Sequence, residues 1–206
     1  MFRPRHLFAQ EISSPCEGCV AQIPGRQSVP GVALHLSGAL IYQPFLIGAP
    51  ASPAVKGGID ILDAHSGALR LRIFLPQQFL TDIDGLHGSF LTTDENGQRL
   101  FAITSSDGTP QNAARTIVQL AAVPLGIRTI APATVAASGG ATLTIRGSGF
   151  QSGSTVTING KSTSVTFKDA NTLSVATPSL TPGSQQITIT NPDGETVSLD
   201  AAFLAS

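Results

Sequence analysis

The sequence predicts an all-β protein of two parts, and three observations indicate it. Charged residues make up only 12% of the chain, and short runs of Val, Ile, Leu and Thr are divided by turn formers, with 21 Gly and 14 Pro. From residue 127 onwards, apolar residues recur at every second position, as strands with one buried face require. The length of 206 residues suffices for two small domains, each with its own core.

Residues 1–28 have no apolar periodicity and contain several prolines, which predicts an irregular lead-in. Within it, Cys16 and Cys19 form a single C-x-x-C pair. A structural zinc site needs a second ligand pair at suitable spacing, and the other candidate ligands are scattered single histidines: His35, His65 and His87. Prolines and glycines flank the pair where a redox motif has a strand and a helix. We expect a local disulfide or two free thiols rather than a metal, and the redox state stays open.

Residues 29–124 read as short strands joined by turns, with turn signals at Ser37-Gly38, His65-Ser66-Gly67 and Glu95-Asn96-Gly97. The two halves of this segment repeat after about 60 residues. In that alignment Leu40-Ile41-Tyr42 corresponds to Leu100-Phe101-Ala102, and Ile59-Asp60-Ile61 corresponds to Thr116-Ile117-Val118.

The stretches SGALIYQPF with GGIDILDAHSGAL, and NGQRLFAITSS with TIVQLAAV, resemble blades of bacterial surface β-propellers of the YVTN/NHL-like kind. The resemblance implies a partial β-propeller of about two blades, in which Asp63-x-x-x-Gly67 turns the chain between the third and fourth strands. A propeller closes with about four to eight blades. We therefore expect further blades of a longer chain, or another copy in a homo-oligomer, to cover the open sheet edges.

Residues 127–206 follow Val123-Pro124-Leu125-Gly126, a short linker, and show strict alternation. The inward pairs are Leu143 and Ile145, Val156 and Ile158, Val165 and Phe167, Leu173 and Val175, Ile187 and Ile189, and Val197 and Leu199. With the initial IRTIAP they give about seven strands, the number of an immunoglobulin-like sandwich. We expect Phe150 and Phe167 to fill its core.

The stretches IRTIAPATVAASGGATLTIRGSGF, STVTINGKSTSVTFKDANTLSVATPSL and PGSQQITITNPDGETVSLDAAFLA resemble an IPT/TIG domain, an immunoglobulin-like fold. The S-G-G, G-x-G-F, N-G, T-P…P-G and N-P-D-G signatures are all present. The resemblance implies a non-catalytic module of the kind found in cell-surface receptors, some transcription factors and many bacterial surface proteins.

The glycine-rich stretches do not have the spacing of nucleotide-binding loops. Gly147-Ser148-Gly149 lies between two strands instead of leading into a helix. Gly160-Lys161-Ser162 spells the end of a P-loop, but the earlier glycine that a P-loop needs is replaced by Thr155. Asn159-Gly160 instead predicts a hairpin turn.

The acidic residues do not form a metal-binding or catalytic pattern. The run from Asp82 to His87 lacks the distal Glu of a calcium loop, because Thr93 stands there, and we interpret it as a polar turn. Asp60 and Asp63 are interpreted as turn and edge residues. No G-x-S-x-G elbow occurs, and the four glutamates lie in turn-like or irregular contexts: Glu11, Glu17, Glu95 and Glu195. We therefore assign no catalytic, cofactor-binding or metal-ligating residue.

The charge pattern argues against nucleic acid as a partner, since the net charge is −1 and Lys and Arg do not cluster. No apolar run reaches the ~20 residues that span a bilayer, and the start MFRPRHLFAQEISSP has no apolar segment of a signal peptide. Tyr42 is the only Tyr and Trp is missing, so aromatic platforms for sugars are not evident. We expect Tyr42 to pack in the core.

The function predicted from the sequence is a non-enzymatic binding or structural module, acting in protein–protein interaction, adhesion or display at a bacterial cell surface. Extracellular placement is implied by the resemblance and agrees with the low Lys content. A protein and a glycan both remain open as the ligand. The alternative is an accessory region, spacer or carbohydrate-associated, of a larger secreted polysaccharide-active enzyme.

Overall fold

A computed structural model describes residues 26–28, 32–47, 56–80, 82–83, 86–87 and 91–206. Cys16 and Cys19 lie outside these residues. Strands dominate the described ranges, and the only helical element within them is one 3₁₀ turn, Pro110–Asn112. The predicted all-β class is confirmed.

Eleven strands precede the linker among the described residues. They are β1 (Arg26–Ser28), β2 (Ala33–Leu34), β3 (Leu40–Ile47), β4 (Lys56–Asp63), β5 (Leu69–Phe74), β6 (Gln78–Phe79), β7 (Asp82–Ile83), β8 (Leu86–His87), β9 (Leu91–Thr93), β10 (Arg99–Ser105) and β11 (Ala113–Gln119). The first sheet is an antiparallel meander, β2-β3-β4-β5, and β1 also pairs with β3. The second sheet is a shorter meander, β9-β10-β11, with β6 also paired to β10. β7 and β8 pair with each other and with no other described strand.

Turns join these strands where the sequence predicts them. Gly38, Gly67 and Gly97 all have φ near +70°, a conformation that glycine adopts without a steric penalty. Asp63 fixes the turn between β4 and β5, because its Oδ1 accepts hydrogen bonds from the backbone N–H groups of His65 and Ser66. The prediction that Asp63 is a turn residue is confirmed.

The two meanders repeat one pattern, with a register that differs from the sequence alignment. Tyr42 pairs with Ile61, and its counterpart Ala102 pairs with Thr116. Ile61 is therefore equivalent to Thr116, whereas the sequence alignment matched Ile59 to Thr116 and is wrong by two residues. A shift of two leaves every side chain on its own face of the sheet, so alternation cannot detect it.

The meanders share one core, because each has an apolar face and the two faces pack together. Tyr42 is fully buried, as predicted, and its hydroxyl donates to Gly97 O at 3.1 Å. The other buried members of this cluster are Leu40, Leu46, Ile59, Ile61, Leu75, Phe79, Leu100, Ala102 and Leu120. Burying each large aliphatic side chain contributes about 1.5–3 kcal/mol.

Nine strands follow the linker and form a sandwich of two sheets. They are β12 (Gly126–Ala131), β13 (Thr134–Val135), β14 (Thr142–Ser148), β15 (Thr155–Ile158), β16 (Lys161–Ser162), β17 (Val165–Asp169), β18 (Thr172–Ala176), β19 (Gly183–Thr190) and β20 (Thr196–Ala205). One sheet has the order β12-β14-β18-β17, and the other has the order β13-β20-β19-β15-β16. Asn159 and Gly160, both with positive φ, make the predicted hairpin turn between β15 and β16.

The core of the sandwich follows the predicted alternation closely. Nine of the twelve predicted inward residues are confirmed as buried core, and Leu199 is half-buried against them; the nine are Leu143, Ile145, Val156, Ile158, Leu173, Val175, Ile187, Ile189 and Val197. Val165 is half-buried against the same cluster, and Phe150 is 3% exposed. Phe167 is 38% exposed, so its predicted core position is wrong. It lies on β17, the last strand of its sheet, where the facing sheet no longer covers it.

Candidate functional site: the cleft between the meanders and the sandwich

Arg70 on β5 connects the two parts of the molecule. Its Nη2 donates to Leu125 O at 2.7 Å and to Glu195 Oε1 at 3.3 Å. The same Glu195 oxygen accepts from the backbone N–H of Leu125 at 3.1 Å. A carboxylate in a turn of the sandwich thus holds both the linker and the first sheet, with hydrogen bonds to charged groups, the stronger class.

Two more contacts support this junction. His65 Nε2 donates to Arg128 O at 3.0 Å, which ties the turn after β4 to β12. Gly126 lies so close to the first meander that an added Cβ would be 3.2 Å from the Cβ of Ala39. The backbone of the linker is therefore packed between the two cores.

The stretch Gly147–Phe150 forms one wall of a cleft at this junction. Gly149 has φ +68° and faces the backbone of the linker, so that an added Cβ would lie 2.6 Å from Pro124 O. Asn191 Nδ2 donates to Gly149 O at 2.8 Å, and Phe150 N–H donates to Ala170 O at 3.0 Å. The glycines of this stretch allow the backbone to pack closely against the linker. Hydrogen bonds from Asn191 and to Ala170 hold this wall of the cleft in place.

The cleft has a volume of about 410 Å³. Its lining comes from one turn of the second meander, from the linker region and from two segments of the sandwich. Four of its nine lining residues are carboxamides, and none carries a formal charge. The lining residues are Asn96, Gln98, Ala122, Val123, Gly149, Phe150, Gln151, Ala170 and Asn171. The cleft therefore offers neutral donors and acceptors beside small apolar walls.

Buried groups of the first meander hold the turn that carries Asn96 and Gln98. His35 is 1% exposed, and its Nε2 donates to Asn96 O at 3.1 Å while its Nδ1 accepts from Ser37 N–H at 3.1 Å. Burial lowers the pKa of His35, and the hydrogen bond to Asn96 opposes this only in part. The ring is therefore neutral with the proton on Nε2. The Gln98 N–H donates to Asp94 Oδ1 at 2.8 Å.

The carboxamides on the other side are held by the sandwich. Gln151 Nε2 donates to Asp193 Oδ2 at 2.5 Å. The pKa of Asp193 is lowered, first by the backbone N–H of Glu195 and then by Gln151. In the amide orientation that suits its neighbours, Asn171 donates to Gly147 O at 3.2 Å. The carbonyl oxygen of the Gln151 side chain accepts no hydrogen bond within the described residues and is available to a ligand.

A second depression, apolar and about 490 Å³ in volume, lies on the outer side of the second meander. Its walls include Phe101 and Ile117, which pair across β10 and β11 and are 36% and 63% exposed, and Ile103, two positions along β10 from Phe101. It borders β11, which ends its sheet without a further strand among the described residues. Surface apolar side chains grouped at a free strand edge are typical of interaction surfaces.

The residues considered for chemistry in the sequence are not brought together. Gly160 lies in the turn before β16, which Lys161 and Ser162 form, and Asp82 and His87 pair between β7 and β8. Within the described ranges, no group of three or more His, Cys, Asp or Glu could hold a metal ion. In the same ranges no helix is long and apolar enough to cross a membrane.

Asp60 was interpreted as a turn or edge residue, and this is wrong. It lies inside β4, between β3 and β5, with its side chain 2% exposed. Its two carboxylate oxygens accept from Arg72 Nε at 2.7 Å and Arg72 Nη2 at 3.0 Å. The guanidinium also lies 5.5 Å from the centre of the Phe45 ring. This hydrogen bonding raises the pKa of Arg72 and is structural.

The fold defines a protein of two strand meanders joined to an immunoglobulin-like sandwich. The family model of the IPT/TIG domain matches residues 125–204, so this part of the chain is an IPT/TIG domain. The predicted resemblance of the sandwich is thereby confirmed. A search of curated proteins gives no match.

Solved structures with some similarity have low identities. An auxiliary nutrient binding protein from Bacteroides ovatus is 18% identical over 41% of this chain and 21% of its own, with a TM-score of 0.34. The gamma-CGTase of alkalophilic Bacillus clarkii is 16% identical over 87% of this chain and 25% of its own, with a TM-score of 0.40.

A third structure is SGBP-B of the Bacteroides ovatus mixed-linkage glucan utilization locus, in complex with a mixed-linkage heptasaccharide. It is 11% identical over 100% of this chain and 71% of its own, with a TM-score of 0.32. This chain thus spans about a quarter or less of the first two proteins. Similarities of this size carry no conclusion about ligands or activity.

Proposed function

We propose that this chain is a non-enzymatic binding and structural module of a bacterial cell-surface or secreted protein. The IPT/TIG domain, a non-catalytic module, supports this proposal, as does its attachment to the meanders through Arg70 and Glu195. A rigid β scaffold presents a surface that loses less conformational entropy on binding than a flexible segment would. The surface it presents is the outer side of the second meander, and the occupant is a further β-meander, from a longer chain that includes this one or from a second copy.

The free edge of β11 is the observation that carries the proposal. In the first meander, β4 is covered on its outer edge by β5, and β11 is the counterpart of β4 in the second meander. No described strand occupies the place beside β11 that corresponds to β5. Its unpaired backbone groups, next to Phe101, Ile103 and Ile117, suit the addition of a strand.

The partner that fits this place is another four-strand meander, a further blade of a β-propeller. The mode of packing is already present, since Tyr42 and Ile61 of the first meander pack against Leu100 of the second in one apolar cluster. A further meander would bury Phe101 and Ile117 in the same way. It comes from a longer chain that includes this one, or from a second copy.

Light scattering combined with size-exclusion chromatography tests the proposal on the full chain. We expect concentration-dependent association that Ile117→Lys abolishes, because a charge would then be placed in the apolar contact. Leu204→Lys is the matched control, since Leu204 is exposed on the distant sandwich. A stable monomer at every concentration would refute the proposal. Loss of association when further blades are joined upstream would assign the partner to a longer chain.

The second candidate function is an accessory region of a larger secreted polysaccharide-active enzyme. The observation that favours it is the neutral carboxamide cleft, a surface suited to hydroxyl groups. The two candidate functions predict different neighbouring domains in the parent protein. A catalytic domain with paired carboxylates beside this chain would favour the accessory role, and further blades would favour the interaction module.

A further inference from the structure

We propose that the cleft between the second meander, the linker and the sandwich is a binding site for a neutral oligosaccharide. The side chains that would bind it are Asn96 and Gln98 on one side and Gln151 and Asn171 on the other. The site shares no residue with the apolar depression at β11 and does not depend on what covers that edge.

Hydrogen-bonding capacity is the first argument. A carboxamide has an acceptor oxygen and an NH₂ group with two donors, both bonded to the same carbon. It can therefore pair with two neighbouring hydroxyl groups of a sugar. Asn96 and Gln98 make no side-chain hydrogen bond within the described part of the chain and are exposed. Gln151 retains a free carbonyl oxygen after its Nε2 bonds to Asp193, and Asn171 adds a fourth carboxamide to the lining.

Charge is the second argument, because it excludes other ligands. Phosphate, carboxylate and ammonium ligands are bound by charged groups or by convergent backbone dipoles. No lining residue is charged, and the Asp193 carboxylate that contacts the lining residue Gln151 accepts a hydrogen bond from it. A neutral polyhydroxylated ligand is the class that such a lining satisfies without leaving an ion unpaired.

Rigidity is the third argument. The turn with Asn96 is held by His35 and Tyr42, through Asn96 O and Gly97 O respectively. On the other wall, the Gln151 N–H donates to Ser154 Oγ at 3.1 Å. Side chains on fixed backbones lose less entropy on binding.

The volume of the cleft and the small size of its apolar lining residues determine the affinity that we expect. A volume of about 410 Å³ lies within the about 300–1,000 Å³ of small-ligand sites. The apolar walls are small, Ala122, Val123 and Ala170, and Phe150 is almost fully buried, so no ring is available for stacking. We therefore expect weak binding, with dissociation constants of about 1 mM.

Saturation-transfer difference NMR on the full chain tests the site, with cellohexaose, maltohexaose and xylohexaose as neutral probes and hexagalacturonate as the acidic one. At least one neutral hexasaccharide should give signals and hexagalacturonate none. The double variant Asn96→Ala/Gln98→Ala should weaken binding about tenfold or more, since two hydrogen-bonding side chains are lost. It should melt like the unmodified protein, because neither side chain has a described hydrogen bond.

The matched control is Asn112→Ala/Gln186→Ala, two exposed carboxamides outside the cleft, which should bind as the unmodified protein does. Three results would overturn the site: binding of no neutral probe, equal binding by the cleft variant, or binding of hexagalacturonate alone. Each leaves the association measured for the β11 edge unaffected, so the two proposals fail separately.

Discussion

Arg70 and Glu195 are 125 positions apart in the sequence, and their side chains form an ion pair with 3.3 Å between Nη2 and Oε1. Leu125 lies between them, with its C=O bound to Arg70 and its N–H bound to Glu195. The first residue of the IPT/TIG match is thus held from both sides. The two parts of the molecule should therefore unfold together.

Replacing Arg70 tests this coupling. Arg70→Ala removes the bonds to Leu125 and Glu195, and we expect a loss of about 1–2 kcal/mol in the free energy of unfolding. Differential scanning calorimetry should then resolve two transitions where the unmodified protein has one. Arg146→Ala is the control, because Arg146 is exposed and makes a single 3.3 Å bond to Thr172. Two transitions in the unmodified protein would contradict the coupling.

A comparison of alanine substitutions at Gly149 and Gly160 distinguishes the cost of backbone strain from the cost of a steric clash. Both have positive φ, which costs another residue about 1 kcal/mol or more. An added Cβ at Gly160 meets nothing within 4 Å, while at Gly149 it would clash with the carbonyl groups of Val123 and Pro124. Gly149→Ala should therefore lose a further ~1–3 kcal/mol compared with Gly160→Ala in urea unfolding. Equal losses would show that the linker yields to the methyl group.

The sandwich could be predicted from sequence because its longer central strands bury one face, for example β14 and β19, which alternation records directly. Phe167 was misplaced because alternation gives the face of a strand and not its place in the sheet. The carboxamide cleft could not be predicted, since its walls come from segments near residues 96, 122, 150 and 170 that only the fold brings together. Asn96 had a local signal, but only as a turn residue.

The burial of Asp60 could not be predicted from the local sequence either. Its partner Arg72 is twelve positions away along the chain and lies directly opposite it on the adjacent strand. Asp60→Ala leaves a largely buried guanidinium without its carboxylate, and we expect a loss of about 3 kcal/mol in urea unfolding. The double variant Asp60→Leu/Arg72→Leu should be the more stable of the two, since no unpaired charge remains.

An exposed pair is the control for Asp60. Arg99 pairs with Asp94 at 3.4 Å with its own side chain 59% exposed, so Arg99→Ala should cost less than about 1 kcal/mol. A similar cost for Asp60→Ala would mean that the Asp60–Arg72 pair contributes no more than a surface ion pair.

His35 should make the stability of the protein depend on pH. Burial lowers its pKa in the folded state below the ordinary value of about 6.5, so the unfolded chain binds a proton that the folded chain does not. The free energy of unfolding should be at its full value above about pH 6.5 and should fall as the pH drops from there towards the folded pKa. Asp94 opposes the shift through its charge, but burial is the larger effect.

Urea unfolding between about pH 7.5 and pH 5.5 measures this dependence. His35→Gln should flatten it, because the titrating ring is gone. Ser37→Ala should retain it, because that variant removes a hydroxyl 2.8 Å from Nδ1 and leaves the buried imidazole in place. The same pH dependence in His35→Gln as in the unmodified protein would show that other groups cause it. A flattened profile would show that the buried ring of His35 causes the dependence.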